Sequence, residues 1–124
     1  MRVPILKIGE TLIASIQGAL TDSDLEQLRD DLIEQVGRLR AHGVVLDVTV
    51  LDVVDSFATR MLRTIAQSSK LRGARTVIVG VQPEVAFAMV ELGLSFHDIE
   101  TALDLEEGLA LLKGAPSKGA DDDA

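Results

Sequence analysis

The sequence predicts an α/β fold in which a mixed β-sheet carries about four helices, mainly on one face. Three observations lead to this prediction: two short strand-like runs open the chain, a long amphipathic helix pattern follows, and strand and helix patterns then alternate three times. Runs joined by a tight turn pair as an antiparallel hairpin, whereas strands connected through helices join a sheet in parallel. The sheet should therefore begin with an antiparallel hairpin and continue with parallel strands.

The first elements are a hairpin and a long helix. Residues 3–8 and 11–17 are two short strand-like runs around a tight turn, and the second alternates Leu12, Ala14 and Ile16 with the side chains of the other face, which is typical of paired strands. Residues 21–24 supply N-cap candidates, Ser23 and Glu26 have the spacing of a capping box, and leucines then recur at helical intervals. We expect this helix to stop at Gly43.

The first strand–helix unit contains the most strongly apolar strand. Residues 44–48 form a nearly continuous β-branched run, which is typical of a strand covered on both faces. A loop follows, and a helix begins at Ser56. The apolar stripe of this helix consists of Phe57, Ala58, Met61, Leu62, Ile65 and Ala66.

Two further units repeat the pattern. Residues 75–81 form the next buried strand, and a short helix begins at Pro83, a favoured first helical residue, and closes at Gly93. The last unit is weaker, with an edge strand over residues 95–99 and a helix capped by Asp104. The three phenylalanines, Phe57, Phe87 and Phe96, are expected in the core.

Composition indicates one small domain. The chain has 124 residues, of which 47% are hydrophobic and 26% charged, enough for one core but not for two. We assign residues 1–113 to a single domain and residues 114–124, which lack apolar periodicity, to a disordered tail. A mean hydropathy of +0.26 is high for so acidic a chain. We therefore expect apolar surface to be buried between subunits of an oligomer.

Charge and residue usage argue against several functions. A net charge of −8 and an aromatic content of 2% disfavour nucleic acid binding, which depends on basic contacts to phosphates and on base stacking. The absence of cysteine excludes disulfides and thiolate chemistry and fits a reducing, cytoplasmic compartment. The sequence contains neither a signal peptide pattern nor an apolar stretch of about 20 residues, so we predict no membrane span.

The most informative motif is a serine flanked by acids. Ser56 follows Asp52 and Asp55 and lies after a parallel strand, at the carboxyl edge of the predicted sheet, where such folds usually bind their partners. A helix N-terminus has unpaired backbone N–H groups and the positive end of the helix dipole, so it receives a phosphate well. Phosphorylation there would add about 1.5 to 2 negative charges. By local pattern alone, the serine would more often be a plain N-cap.

The remaining polar residues form no recognisable catalytic motif. Asp47, Asp52 and Asp55 could hold magnesium or serve as a receiver-type phosphoacceptor site, but residues 5–16 lack the paired acids of a receiver's first strand. The two histidines lie far apart in the sequence and are expected at the surface. The chain has no nucleophile elbow and no phosphate-binding loop. We therefore predict no enzyme activity, no metal site and no cofactor.

The order of these segments resembles the STAS domain family of anti-sigma factor antagonists. The run from Asp52 to Phe57 after a valine-rich strand is similar to the family's phosphorylatable helix start. The likeness extends to Lys113 and is greatest to the RsbS-type subunits of the bacterial stressosome. The segments that carry it are residues 4–7, 69–74, 80–83, 90–93 and 99–106.

The resemblance implies a regulator of a kinase. RsbS-type subunits pack with RsbR-type STAS paralogues into a large cytoplasmic shell that holds an RsbT-type serine kinase inactive. Phosphorylation of the family serine, here Ser56, accompanies release of the kinase, and a PP2C-type phosphatase removes the phosphate. Asp52, Asp55, Phe57 and Arg60 are then expected to bind the partner. A dianion added beside the two acids would repel an acidic partner surface.

Two alternatives stay open in the sequence. Ala58-Thr59-Arg60 replaces the more aliphatic run expected after the serine, which makes Thr59 a second candidate acceptor. A function from another class is that of an accessory STAS domain of a transport system, whose edge would bind a partner ATPase or an apolar ligand without phosphorylation. The Asp55-Ser56 pair and the RsbS-like segments favour the kinase-regulating scaffold.

Overall fold

A five-stranded sheet and four helices make up the described part of the chain. The computed structural model describes residues 2–18, 20–95, 97 and 99–114, so the predicted tail lies outside it except for Gly114. The strands are β1 (Ile5–Ile8), β2 (Thr11–Ser15), β3 (Gly43–Asp47), β4 (Arg75–Val79) and β5 (Glu100–Ala102). The helices are α1 (Asp22–Leu39), α2 (Ser56–Leu71), α3 (Pro83–Glu91) and α4 (Leu105–Leu112).

The strands lie in chain order across the sheet, from β1 to β5. β1 is antiparallel to β2, and each later strand is parallel to the one before it. The predicted mixed sheet with an opening hairpin is confirmed. Because β2 to β5 are parallel, their carboxyl ends meet at one edge of the sheet, which is where ligands and partners usually bind such folds.

The helices are divided unequally between the two faces of the sheet. α1, α2 and α3 share a core with apolar side chains of the central strands, among them Leu12, Leu46 and Ile78. α4 covers the opposite face, where Leu109 packs against a cluster that includes Val45. β3 is therefore buried on both sides, as its β-branched sequence predicts. Three helices on one face and one on the other agree with the predicted arrangement.

The capping box of α1 lies two residues earlier than the predicted pair. Its N-cap is Thr21, whose hydroxyl accepts a hydrogen bond from the Asp24 backbone N–H at 3.1 Å. The Asp24 carboxylate in turn accepts from the Thr21 backbone N–H at 3.0 Å. The predicted box of Ser23 and Glu26 was wrong by two residues, because an aspartate at the third helical position closes the box as a glutamate does.

Two elements end earlier than their apolar patterns suggest. α1 ends at Leu39 because Arg40 adopts a left-handed conformation with a φ of 51°, and Gly43, the predicted stop, already belongs to β3. β4 ends before residue 80 because Gly80 turns the chain away from the strand with a φ of +76°. In both cases a left-handed residue ends the element while the apolar pattern still continues.

The last strand was predicted in the wrong place. Residues 95–99 were expected to form it, but β5 comprises the three residues that follow. Ile99 is buried in the core shared by the three helices, and pairing begins at the next residue, where Glu100 lies opposite Val77. The apolar pattern places the isoleucine in an edge strand because burial and strand pairing cannot be separated in so short a segment.

The phenylalanines do not share one environment. Phe57 is half-buried and packs against the core of the three helices, as predicted. Phe87 is 69% exposed, contrary to prediction, because α3 buries the face that carries Val85 and Met89. Phe96 lies outside the described residues.

A bidentate ion pair joins the N-terminal segment to α1. The guanidinium of Arg2 donates to both carboxylate oxygens of Asp31, at 2.9 and 3.0 Å. These hydrogen bonds lower the pKa of the Asp31 carboxyl below its usual value, and the Arg2 charge adds to the effect.

The lowered pKa of Asp31 predicts how stability should depend on pH. The ion pair stabilises the native state fully above the unfolded pKa of about 3.9, and this contribution is lost as the pH falls through the lower native pKa. Asp31→Asn should therefore lower the urea midpoint near neutral pH and have progressively less effect in acid. Asp30→Asn, which removes a carboxylate paired with Arg29 on the same helix, is the control. An equal loss at both pH extremes for Asp31→Asn would contradict the prediction.

Candidate functional site

The acid-flanked serine lies at the carboxyl edge of the sheet. The loop over residues 48–55 connects β3 to α2 at this edge, and Ser56 is the first residue of α2. The side chain of Ser56 is exposed, as are those of Asp52 and Asp55. The serine therefore faces solvent on the edge where this class of sheet presents its binding surface.

The helix cap is the aspartate, not the serine. Asp55 has extended backbone geometry, and its Oδ1 accepts a hydrogen bond from the Ala58 backbone N–H at 2.8 Å. The capping role that the local pattern favoured for Ser56 is thus taken by the residue before it. Since the capping bond does not use the serine hydroxyl, this hydroxyl can serve another purpose at a helix N-terminus whose dipole favours negative charge.

Thr59, the second candidate acceptor, is buried, unlike Ser56. It is fully buried, and its hydroxyl donates to the backbone carbonyl oxygen of Asp55 at 2.9 Å. A kinase would have to open the first turn of α2 to reach this oxygen. We therefore keep Ser56 alone as the proposed acceptor.

Phe57 and Arg60 form a pair beside the serine. The guanidinium of Arg60 lies 5.9 Å from the centroid of the Phe57 ring, within the range of a cation–π contact. The ring is half-buried and the arginine exposed, so the pair fixes a positive charge on the surface of the first turns of α2. Arg60 also follows Ser56 by four residues, which places both on the same side of the helix.

The loop before the serine is held by hydrogen bonds to β3 and α3. Asp47 Oδ1 accepts from the backbone N–H of Thr49 at 3.0 Å and from its hydroxyl at 2.6 Å. The side-chain amide of Gln82 donates to the Thr49 carbonyl oxygen at 3.1 Å. These bonds set the direction in which the chain leaves the sheet toward Ser56.

The acids of this edge do not meet as metal ligands. Asp47 is engaged with Thr49, and Asp55 caps α2. Within the described ranges, no three histidine, aspartate or glutamate side chains are close enough together to hold a metal ion. Both exposed histidines lie away from this edge: His42 contacts Glu10 at the opposite, amino-terminal edge, and His97 precedes the parallel strand β5 at that same opposite edge.

A pocket that the sequence did not reveal opens beside Asp55. It has a volume of about 230 Å³ and lies where the start of α1, the loop before α2 and the first turns of α2 meet. Only folding brings these three segments together, so no local sequence signal marks the pocket. Its lining includes the apolar residues Ile16, Leu20, Leu25, Leu51, Val53, Val54 and Leu62 and the acids Asp22 and Asp55.

Fold and edge together define a class of protein. The mixed sheet that opens with a hairpin and carries three helices on one face and one on the other matches the fold of the anti-sigma factor antagonist SpoIIAA, with a TM-score of 0.72 at 15% identity. The chain belongs to the STAS domain family, whose model matches residues 2–108. None of the helices described is long and apolar enough to cross a membrane.

Similar proteins include stressosome components. RsbS of Moorella thermoacetica, solved as a variant in which glutamate replaces a serine, is 36% identical, with a TM-score of 0.84 over 92% of this chain and 97% of that one. A chain in the structure of the stressosome, described as a signal integration and transduction hub, is also 36% identical. Its TM-score is 0.81 over 90% of this chain and 96% of that one.

Curated sequences give the same kind of relative. The RsbT co-antagonist protein RsbRD of Bacillus subtilis is 28% identical over 111 residues, which is 89% of this chain. The chain spans only 40% of that protein's length. The match therefore covers less than half of a longer protein, whereas RsbS is matched along almost its entire length.

Proposed function

We propose that this protein is a stressosome scaffold subunit that holds an RsbT-type serine kinase and releases it when Ser56 is phosphorylated. The likeness to RsbS over nearly the whole of both chains supports this role, and so do the relatives named as RsbT co-antagonists. In this proposal the protein is the substrate of the kinase and part of its scaffold, without an enzyme activity of its own.

One observation carries the proposal: the exposed Ser56 stands at the start of α2, while Asp55 supplies the cap. The hydroxyl is therefore available to a kinase, and its modification does not remove the capping bond on which the helix depends. Backbone N–H groups in the first turn of a helix have no acceptor within the helix. They and the helix dipole stabilise the phosphate once it is attached.

Electrostatic repulsion explains how phosphorylation of Ser56 would release the kinase. To phosphorylate Ser56, a kinase must bring the terminal phosphate of ATP next to the serine oxygen. The part of the partner that faces Ser56 is therefore negatively charged whenever nucleotide is bound. A phosphoserine with about 1.5 to 2 negative charges would meet those phosphates at short range, and like charges so placed cost several kcal/mol.

The scaffold role requires contacts between subunits. Two apolar residues of the edge strand β1, Leu6 and Ile8, are 62% and 51% exposed. Their partners in β2 place them on the face of the sheet that carries α4. In the proposed assembly, surfaces of this kind pack against further copies and RsbR-type paralogues in the bacterial cytoplasm, and a PP2C-type phosphatase resets Ser56.

The direct test is phosphate transfer. The purified protein is incubated with a cognate RsbT-type kinase and Mg-ATP, and the intact mass is measured. We expect the wild type to gain one phosphate and Ser56→Ala to gain none. Thr59→Val, which keeps the shape of the buried side chain, is the matched control and should gain one phosphate as the wild type does.

Two results would contradict this function. A wild type that binds the kinase but never gains phosphate would favour an accessory STAS domain that works without phosphorylation. A phosphate that persists in Ser56→Ala would move the switch to another residue.

A further inference from the structure

The pocket beside Asp55 has the size and lining of a receptor for one side chain. An engineered cavity of about 150 Å³ with apolar walls binds benzene, whereas small-molecule sites usually begin at about 300 Å³. At about 230 Å³, this pocket falls between the two. It accommodates a branched aliphatic or aromatic side chain but is small for a drug-sized ligand or a lipid chain.

The walls of the pocket are preformed. Ile16, Leu25, Leu51 and Leu62 are each no more than 8% exposed and belong to the core of α1, α2 and α3. They cannot move aside or close over the pocket without disturbing that core. Val53, by contrast, is 76% exposed in the loop before α2, so an apolar group seated in the pocket would cover it.

The charge of the pocket lining indicates which kind of residue lies next to the apolar side chain that the pocket takes. Among the described residues that line the pocket, Asp22 and Asp55 are charged, and none is a lysine or arginine. The pocket lies at the starts of α1 and α2, and each helix start contributes about half a positive charge. Two carboxylates against two half charges leave the lining net negative, which favours a cation next to the inserted side chain.

We infer that this pocket is the anchor site of the captured kinase, and that it takes one aliphatic or aromatic side chain flanked by a lysine or arginine. The inference rests on the proposed function, because it names the part of the kinase that is held beside Ser56. The anchor and the phosphorylation site occupy neighbouring positions with separate roles. The pocket holds the kinase, while Ser56, one residue beyond Asp55, faces the nucleotide.

The test uses two exposed valines of the same loop. Val53 lines the pocket, and Val50, which is 57% exposed, does not. The dissociation constant for the nucleotide-free kinase is measured by calorimetry for wild type, Val53→Ser and Val50→Ser. Loss of a buried valine corresponds to about tenfold weaker binding, so we expect that change for Val53→Ser and less than about twofold for Val50→Ser. Equal losses, or no loss for Val53→Ser, would overturn the inference.

A second test fills the pocket with a larger side chain, using one variant in the lining and one control variant elsewhere. Ala58 lies in the lining on α2, and Ala110 is an exposed alanine on α4. Ala58→Leu should weaken kinase binding at least tenfold while the urea midpoint stays near that of Ala110→Leu. If Ala58→Leu is unfolded, the comparison of Val53→Ser with Val50→Ser tests the anchor by itself. Unchanged binding by a folded Ala58→Leu would also overturn the anchor.

The outcome separates this inference from the function on which it rests. If the wild type binds the kinase and is phosphorylated, but the pocket variants behave as the wild type does, the anchor is wrong and the switch at Ser56 stands. If the wild type does not bind the kinase, both fall together. A hydrophobic dye bound in the pocket provides a last check. If a lipid or another small apolar ligand displaces the dye and the kinase does not, the pocket is a ligand site and the anchor is wrong.

Discussion

Ser56→Asp is expected to weaken capture of the nucleotide-bound kinase by about 10- to 100-fold. The substitution puts a permanent negative charge where the kinase presents the phosphates of ATP. It should not unfold the protein, because an acid in the first turn of a helix interacts favourably with the helix dipole. The measurement is the dissociation constant of the complex with a non-hydrolysable ATP analogue, together with a urea midpoint for each variant.

Ser56→Asn is the matched control for this prediction, since asparagine has nearly the shape of aspartate without its charge. We expect Ser56→Asn to bind within a few-fold of the wild type. The effect of Ser56→Asp should shrink when nucleotide is removed from the kinase, and also in high salt, because the screening length falls from about 8 Å at 0.15 M to about 3 Å at 1 M. If aspartate and asparagine weaken binding equally, phosphate acts through shape and not through charge.

The elements that the sequence predicted well are those whose signal is local and redundant. β3 was placed to within one residue because its apolar run is nearly continuous and buried, and α2 was placed by a stripe that repeats over about three turns. The identity of the cap was not predictable to the same degree. Asp55 and Ser56 are both good capping residues, and only the backbone geometry decides which one lies before the first helical turn.

Features that depend on distant contacts could not be read from the sequence. The pocket is built from three segments that meet only in the folded chain, and Thr59 looks like any other threonine until its burial is known. β5 was misplaced for a related reason: the sheet accepts Glu100–Ala102 because β4 offers pairing partners there, not because those three residues favour a strand by themselves.

Gly80→Ala is expected to lower the free energy of unfolding by about 2 to 5 kcal/mol. Gly80 has a φ of +76°, where a side chain costs about 1 to 2 kcal/mol. An added Cβ would also press into the Thr49 hydroxyl and lie 3.1 Å from the Thr49 Cα, and such overpacking costs about 1 to 3 kcal/mol more. Since a domain of this size is stable by only about 5 to 15 kcal/mol, the loss should be plain in urea denaturation.

Gly9→Ala separates the two causes of that loss. Gly9 also has a positive φ, +59°, but no atom lies within 4 Å of its added Cβ, so only the backbone penalty of about 1 to 2 kcal/mol should appear. Gly80→Ala should in addition slow phosphorylation of Ser56, because a displaced Thr49 loses its bonds to Asp47 and Gln82, which direct the loop toward the serine. Equal destabilisation by the two alanines, with an unchanged phosphorylation rate, would show that the contact with Thr49 does not hold the loop in place.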